Sequence, residues 1–168
     1  MVVTAISLVV FPALMAFAAS SDLLTMRISN RVSLALVLGF FVLAIVSGMG
    51  WREIGTSAAV SVAVLAAAFF CFARGWIGGG DAKLAAATVL WLGVDQVMNY
   101  LLYASILGGI LTLMMIRFRL MPLPVFLSKQ DWAVRLHRLD SGVPYGIALA
   151  AAALLIYPET PFMRGFGG

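Results

Sequence analysis

Charged side chains are scarce in this chain. Of its 168 residues, 11% are Asp, Glu, Lys or Arg and 63% are hydrophobic, and the mean hydropathy is +1.07. A soluble globular domain carries about 25% charged residues. The deficit excludes the usual soluble enzymes and binding domains and predicts an integral membrane protein.

Cysteine and histidine are almost absent. Cys71 lies within an apolar segment, and His137 is the only histidine. A lone cysteine cannot form an internal disulfide, and a lone histidine without cysteines or a carboxylate cluster does not make a zinc-type site. We therefore predict no metal and no cofactor. The net charge is +4, but the basic residues flank apolar segments, so we predict no nucleic-acid partner.

Apolar runs fill most of the chain, and a spanning helix needs about 20 such residues. We predict an all-α fold, a polytopic membrane helix bundle with about six transmembrane helices. The fourth run is short and the sixth is marginal, so five spans plus a re-entrant segment stay possible. No Lys or Arg precedes the first run, so we expect it to be retained and not cleaved as a signal peptide. The six charge-free runs are Met1 to Ser21, Val32 to Trp51, Ile54 to Ala73, Leu84 to Val94, Gln96 to Ile116 and Ser141 to Pro158.

Lys and Arg are unequally divided between the two sides that six spans would create. The loops after the first, third and fifth runs hold nine of them, whereas the opposite side holds only Arg52 and Arg164. The positive-inside rule then places the nine in the cytoplasm and the N-terminus outside. Asp22 and Asp81 are two spans apart and therefore share the cytoplasmic face. The nine residues are Arg27, Arg31, Arg74, Lys83, Arg117, Arg119, Lys129, Arg135 and Arg138.

The longest connection runs from Arg117 to Asp140 and begins with a helix-breaking Met-Pro-Leu-Pro segment. After it, Trp132, Leu136 and Leu139 follow at helical spacing with basic residues between them. This pattern suits a short helix lying in the membrane interface, which could bring a substrate segment to the aspartates. A basic surface loop is the other interpretation, and the sequence leaves both open.

Asp22 and Asp81 stand at the ends of apolar runs, where an ionisable group is costly and is by default a functional candidate. Gly78, Gly79 and Gly80 precede Asp81. They would allow positive φ and the close approach of another segment. Two neighbouring carboxylates that share one proton can activate water in the manner of an aspartic protease. Each aspartate could instead be a boundary or helix-capping residue.

Three sequence blocks together favour the catalytic interpretation. They are Asp22 with Arg27-Ile28-Ser29-Asn30, then Gly78-Gly79-Gly80-Asp81-Ala82-Lys83-Leu84, and Gly142-Val143-Pro144-Tyr145-Gly146 at the last span. Their order and spacing resemble the type IV prepilin peptidases, which are membrane aspartic proteases of the Gly-x-Gly-Asp kind. The first block departs from the family, in which Ile-Pro-Asn usually follows the first aspartate, because Ser29 replaces the proline.

The resemblance implies that Asp22 and Asp81 are the catalytic pair and that Gly78, Gly79 and Gly80 shape the site. It implies a bacterial cytoplasmic-membrane enzyme that removes the short leader from pilin-like precursors at the cytoplasmic face. The chain has no paired cysteines and little sequence before Asp22, unlike the longer members that also methylate the new N-terminus. We therefore expect one peptidase domain over residues 1–168 without methyltransferase activity, similar to the short branch that serves Flp-type tight-adherence pili.

Two other classes of protein stay open from the residues alone. A small transporter or proton channel would also use membrane carboxylates, although such sites usually lie near the midplane between repeated or broken helices. A non-enzymatic subunit of a secretion apparatus would use the Ala- and Gly-rich spans for helix packing. Neither the oligomeric state nor the particular pilin can be read from the sequence.

Overall fold

The computed structural model describes residues 2–164, and within that range every regular element is helical. The all-α prediction is therefore confirmed. Two short 3-10 turns, Val94–Gln96 and Tyr157–Glu159, extend the neighbouring helices. The α-helices are α1 (Val2–Thr25), α2 (Asn30–Val46), α3 (Trp51–Ala73), α4 (Gly79–Leu92), α5 (Val97–Leu120), α6 (Asp131–His137), α7 (Tyr145–Ile156) and α8 (Pro161–Arg164).

Each of the six predicted apolar runs coincides with one helix, namely α1 to α5 and α7. Three helical segments are long and apolar enough to cross a bilayer by length and composition: Ile6–Thr25, Trp51–Ala73 and Val94–Leu120. Asn30–Val46 and Tyr145–Glu159 are shorter apolar helices, and α4 has 14 residues. The chain is thus a helical membrane protein, and its exact number of spans stays a prediction.

The short helix α4 forms the centre of the bundle. It packs against α2, α3 and α7, and every residue from 84 to 92 is buried. Its sequence is rich in alanine and has no charge after Lys83, so neighbouring helices can approach it from all sides. The Trp91 indole donates a hydrogen bond to the Leu36 carbonyl at 2.9 Å. Its ring lies in an aromatic cluster with Phe11, Phe40 and Phe162.

The outer helices α3 and α5 carry large apolar side chains on the surface. Val62, Phe69, Leu113 and Met114 are all more than 60% exposed. A contiguous apolar surface of this kind is unfavourable in water and favourable against lipid tails. The bundle therefore has its apolar packing inside and a second apolar layer outside, as a membrane protein requires.

The connection between α5 and α7 contains the helix α6, where the sequence left open a helix or a loop. Ala133 and Leu136 are its buried residues, whereas Leu139 lies beyond its end and is 82% exposed. The expected apolar stripe is therefore shorter than the spacing indicated. Whether α6 lies in the membrane interface stays a prediction.

Candidate active site

Asp22 lies in the last turn of α1 and is 6% exposed. The backbone N–H of Gly146 donates a hydrogen bond to its Oδ2 at 2.7 Å. Gly146 is in the first turn of α7, where backbone N–H groups have no partner within their own helix and the helix dipole favours an anion. Helices α1 and α7 therefore meet at this carboxylate.

The chain reverses direction at Met26, directly after α1 ends at Thr25. Met26 donates its N–H to the Asp22 carbonyl at 2.8 Å and adopts a left-handed conformation with φ 55°, which is uncommon for a residue with a side chain. The Ser21 hydroxyl donates to the Arg27 carbonyl at 2.9 Å. This tight turn directs the next residue, Ile28, back toward the bundle.

Asp81 is the third residue of α4, and Gly78 is its N-cap residue. The backbone N–H of Gly78 donates to the Asp81 carboxylate, which is half of a capping box. The capping role considered for Asp81 is thus present and coexists with its position at the site. Asp81 precedes the apolar part of α4, which begins at Leu84. Burial and, to a smaller extent, the negative charge of Asp22 together raise the pKa of Asp81 from its ordinary value of 3.8 to about 6, against the opposing effect of the Gly78 hydrogen bond.

The three glycines before Asp81 act through close contact and not through unusual backbone angles. The positive φ expected there was wrong, since Gly78 has φ −74° and the nearest glycine with positive φ is Gly75. The expected close approach is present. A Cβ on Gly80 would lie 3.1 Å from the Cβ of Ile28, and one on Gly79 would lie 3.2 Å from the Phe72 ring.

Ile28 connects the two aspartate-bearing regions. Besides its contact with Gly80, its Cδ1 would lie 2.9 Å from a Cβ on Gly146. One side chain therefore fills the space between the first turn of α4 and the first turn of α7. Next to it, the Lys83 ammonium donates to the Asn30 side-chain carbonyl at 2.9 Å. The first two sequence blocks thus pack together as one unit, and both aspartates lie at the same end of the bundle.

Ile28 and Gly146 lie within the sequence blocks described above, but no role was predicted for either residue. The available signal was the combination of a glycine at the start of the last span and a β-branched residue after the first. That combination becomes meaningful only when α1, α4 and α7 are known to converge. Among the described residues, no cluster of three or more His, Cys, Asp or Glu side chains could hold a metal ion.

A groove of about 820 Å³ opens beside Asp81. Its walls are α3 and α5, and α4 and α7 form its floor. Asp81 is the only acid among its lining residues. Most of the others are small or apolar, including Ala67, Ala68, Ala104, Gly108, Gly109 and Ala148.

A family model described as the type IV leader peptidase family matches residues 9–113. The chain belongs to this family. Neither the curated proteins nor the solved structures gave a significant match. The family match contains both aspartates and the turn between α1 and α2, whereas α6 and α7 lie beyond it. Membership in the type IV leader peptidase family favours a peptidase over the transporter and assembly-subunit alternatives, and it confirms the resemblance seen in the sequence blocks.

Proposed function

We propose that this type IV leader peptidase family member is an aspartic endopeptidase whose catalytic pair is Asp22 and Asp81. In this proposal it removes the short leader from pilin-like precursors at the cytoplasmic face of the bacterial inner membrane, with its own N-terminus outside. The reaction uses no cofactor and no methyl donor.

One observation carries the proposal: the buried carboxylate of Asp22 and the partly buried carboxylate of Asp81, 59 positions apart in sequence (81 minus 22), lie at one end of the bundle, and the charge of Asp22 acts on Asp81. Packing alone does not explain why ionisable groups should be kept at such a place. A carboxylate that is only partly ionised near neutral pH can act as an acid beside a second carboxylate that acts as a base.

The pair supports hydrolysis without an acyl-enzyme. One carboxylate takes a proton from water as the water oxygen attacks the scissile carbonyl carbon. The other, protonated carboxyl donates its proton to the carbonyl oxygen, which gives a tetrahedral diol. When the C–N bond breaks, the carboxyl that took the proton from water gives it to the leaving amine, and the other carboxylate takes a proton from a diol hydroxyl, so the site again holds one proton between two carboxylates.

The groove beside Asp81 supports the proposal that the substrate is itself a membrane helix. Its apolar walls face outward between α3 and α5, so an apolar helix could enter from the lipid without crossing the packed core. The bond to be cut would then lie where the helix ends and water is available. A leader followed immediately by an apolar helix meets this requirement.

Co-expression with a precursor that carries a short basic leader before an apolar helix tests the proposal. The parent protein should release the leader, and Asp22→Asn and Asp81→Asn should each lower cleavage at least about 100-fold while the protein still inserts into membranes. Asn keeps the shape of the side chain and removes the titrating proton.

Asp95→Asn is the matched control, because Asp95 is exposed and lies beyond the opposite end of α4. It should cleave at the parent rate. Parental rates in either catalytic variant would disprove the assignment of the pair. A parent that releases no leader is what a transporter or a non-enzymatic subunit predicts.

A further inference from the structure

The groove wall contains a small polar cluster that the catalytic scheme does not use. The Tyr145 hydroxyl and the Thr112 hydroxyl lie 3.0 Å apart, and both residues line the groove together with Asp81. The Tyr145 ring lies against Gly108, where a Cβ would be 3.3 Å from its Cε1. Gly108 and Thr112 are on one face of α5, so this helix holds the ring at one position.

The direction of the Tyr145 to Thr112 hydrogen bond follows from proton counting. Thr112 also lies 2.8 Å from the Gly108 carbonyl, in the geometry of a donor to that carbonyl. A threonine hydroxyl has one proton, so both bonds form together only if Tyr145 donates to Thr112. The phenolic oxygen of Tyr145 then has its proton engaged and can still accept a hydrogen bond from a group in the groove.

Tyr145 also occupies a particular place relative to the two aspartates. It is the first residue of α7, and the next residue, Gly146, donates to Asp22. Its side chain enters the groove that contains Asp81, and it is 36% exposed. An acceptor at this place faces a chain lying in the groove next to the catalytic pair.

We propose that Tyr145 is a substrate-binding residue whose phenolic oxygen accepts a backbone N–H from the unwound segment next to the scissile bond. This inference rests on the proposed function. A segment that leaves its helix to be cleaved loses the internal partners of its N–H groups, and those donors need new acceptors beside a groove whose lining is mostly apolar. Thr112 and Gly108 hold the acceptor in position.

The test compares Tyr145→Phe with the parent on a synthetic precursor in detergent micelles. Loss of one neutral hydrogen bond should lower kcat/KM about three- to tenfold, mainly through KM. Tyr103→Phe is the matched control, because Tyr103 is on the same helix as Thr112 and is 45% exposed but does not line the groove. It should leave both kinetic constants unchanged.

Substrates in which an ester oxygen replaces one backbone N–H give a second, independent test of the hydrogen bond to Tyr145. Esters are placed singly at the three bonds after the scissile bond. One of them should slow the parent by the same factor as Tyr145→Phe and should cause no further loss in that variant. If no ester slows the parent, the inference is overturned whatever the stability of the variants.

The outcomes also separate this inference from the proposed function. Normal kinetics of Tyr145→Phe, together with inactive Asp22→Asn, overturns the role of Tyr145 and leaves the catalytic pair in place. If the fold-losses in kcat/KM from Tyr145→Phe and from each ester multiply when the two are combined, the phenolic oxygen and the N–H act independently. That result also overturns the inference. A parent that does not cleave overturns both.

Discussion

Gly146 lies where any side chain would strike the first aspartate. A Cβ there would be 2.8 Å from Asp22 Oδ2 and 2.9 Å from the Ile28 Cδ1, distances that require one of the groups to move. Gly146→Ala should therefore displace Asp22 and lower cleavage by about 100-fold, since a shift of about 1 Å at a reacting group can cost that much. The measurement is leader release from a precursor at equal amounts of membrane-inserted protein.

Gly55→Ala provides the control for this substitution. Gly55 lies within α3, and nothing lies within 4 Å of the Cβ position. Alanine there should keep full cleavage and stabilise the helix by up to about 1 kcal/mol. Full activity in Gly146→Ala would show that Asp22 does not depend on its contact with α7.

Asp81 should make the stability of the protein depend on pH. Its folded-state pKa of about 6 lies above its ordinary value of 3.8, so the folded protein binds the proton more tightly than the unfolded chain. The contribution to stability is fully present below pH 3.8 and is lost as pH rises through 6. At pH 7 the partly buried, ionised carboxylate thus costs the fold up to about 3 kcal/mol, at about 1.4 kcal/mol per pKa unit.

Asn cannot ionise, so Asp81→Asn should be more stable than the parent at pH 7. The difference should shrink as pH falls through 6 and vanish near pH 4. Thermal unfolding in detergent micelles between pH 4 and 8 measures it. Asp22→Asn should move the parental midpoint to lower pH, because it removes the negative charge that raises the pKa of Asp81. A stability difference that is the same at every pH would contradict this account.

At the residue scale, the sequence predicted the aspartates better than the groups that hold them. Asp22 and Asp81 stand out because an acid next to an apolar run is rare. Ile28 and Gly146 are ordinary residues, and their importance comes from contacts between helices that are distant in sequence. The roles of the two aspartates in catalysis stay predictions that the proposed substitutions test.

At the element scale, hydrophobic runs predicted which helices form, and local chemistry decided where they begin. The sixth run starts at Ser141, yet α7 begins only at Tyr145, after Pro144. The second run starts at Val32, but α2 begins at Asn30 with Ser29 as its N-cap residue. Ser29 has φ −67°, a value that proline also adopts. The turn therefore keeps the conformation that the family's usual proline would fix.

Arg119 holds the segment before α7 in place. At the end of α5, its Nε donates to the Leu136 carbonyl at 2.9 Å, and its Nη2 donates to the Ser141 hydroxyl at 2.8 Å and the Gly142 carbonyl at 2.6 Å. These bonds fix the connection that leads to Gly146. No periodicity in the sequence indicates them, because they join a helix end to a loop.

Arg119→Gln should loosen this connection and lower cleavage about tenfold, because Gly146 would no longer be held against Asp22. Amide hydrogen exchange of residues 136–144 should become faster in the same variant. Arg138→Gln is the control, since Arg138 is exposed and pairs with Asp140 on the surface. Surface pairs of this kind contribute at most about 1 kcal/mol. Equal exchange rates in the Arg119 variant and the parent would contradict the role given to Arg119.

At the scale of the whole molecule, the packing of the bundle brings residues from apolar runs that are distant in sequence together at one site. Because α4 is central and short, its first turn can meet the end of α1 and the start of α7 at a single end of the structure. The sequence predicted that these ends share one side, from the even number of spans between Asp22 and Asp81. It could not predict that α7 completes the site, because the order of helices around α4 depends on packing.

The charge distribution predicts that this end faces the cytoplasm, and single-cysteine labelling tests it. In a Cys71→Ser background, Lys129→Cys places a thiol on the exposed connection at the site end, and Asp95→Cys places one beyond the far end of α4. A maleimide that cannot cross the inner membrane should label position 95 but not position 129 in cells whose outer membrane has been permeabilised. In inverted inner-membrane vesicles it should label position 129 but not position 95. The reason is that nine basic residues flank the helix ends on one side and two on the other, a bias that orients insertion. Labelling of position 129 from outside would place Asp22 and Asp81 where a leader held in the cytoplasm cannot reach them, and labelling of both positions from the same side would contradict the predicted placement of the two ends of α4 on opposite sides.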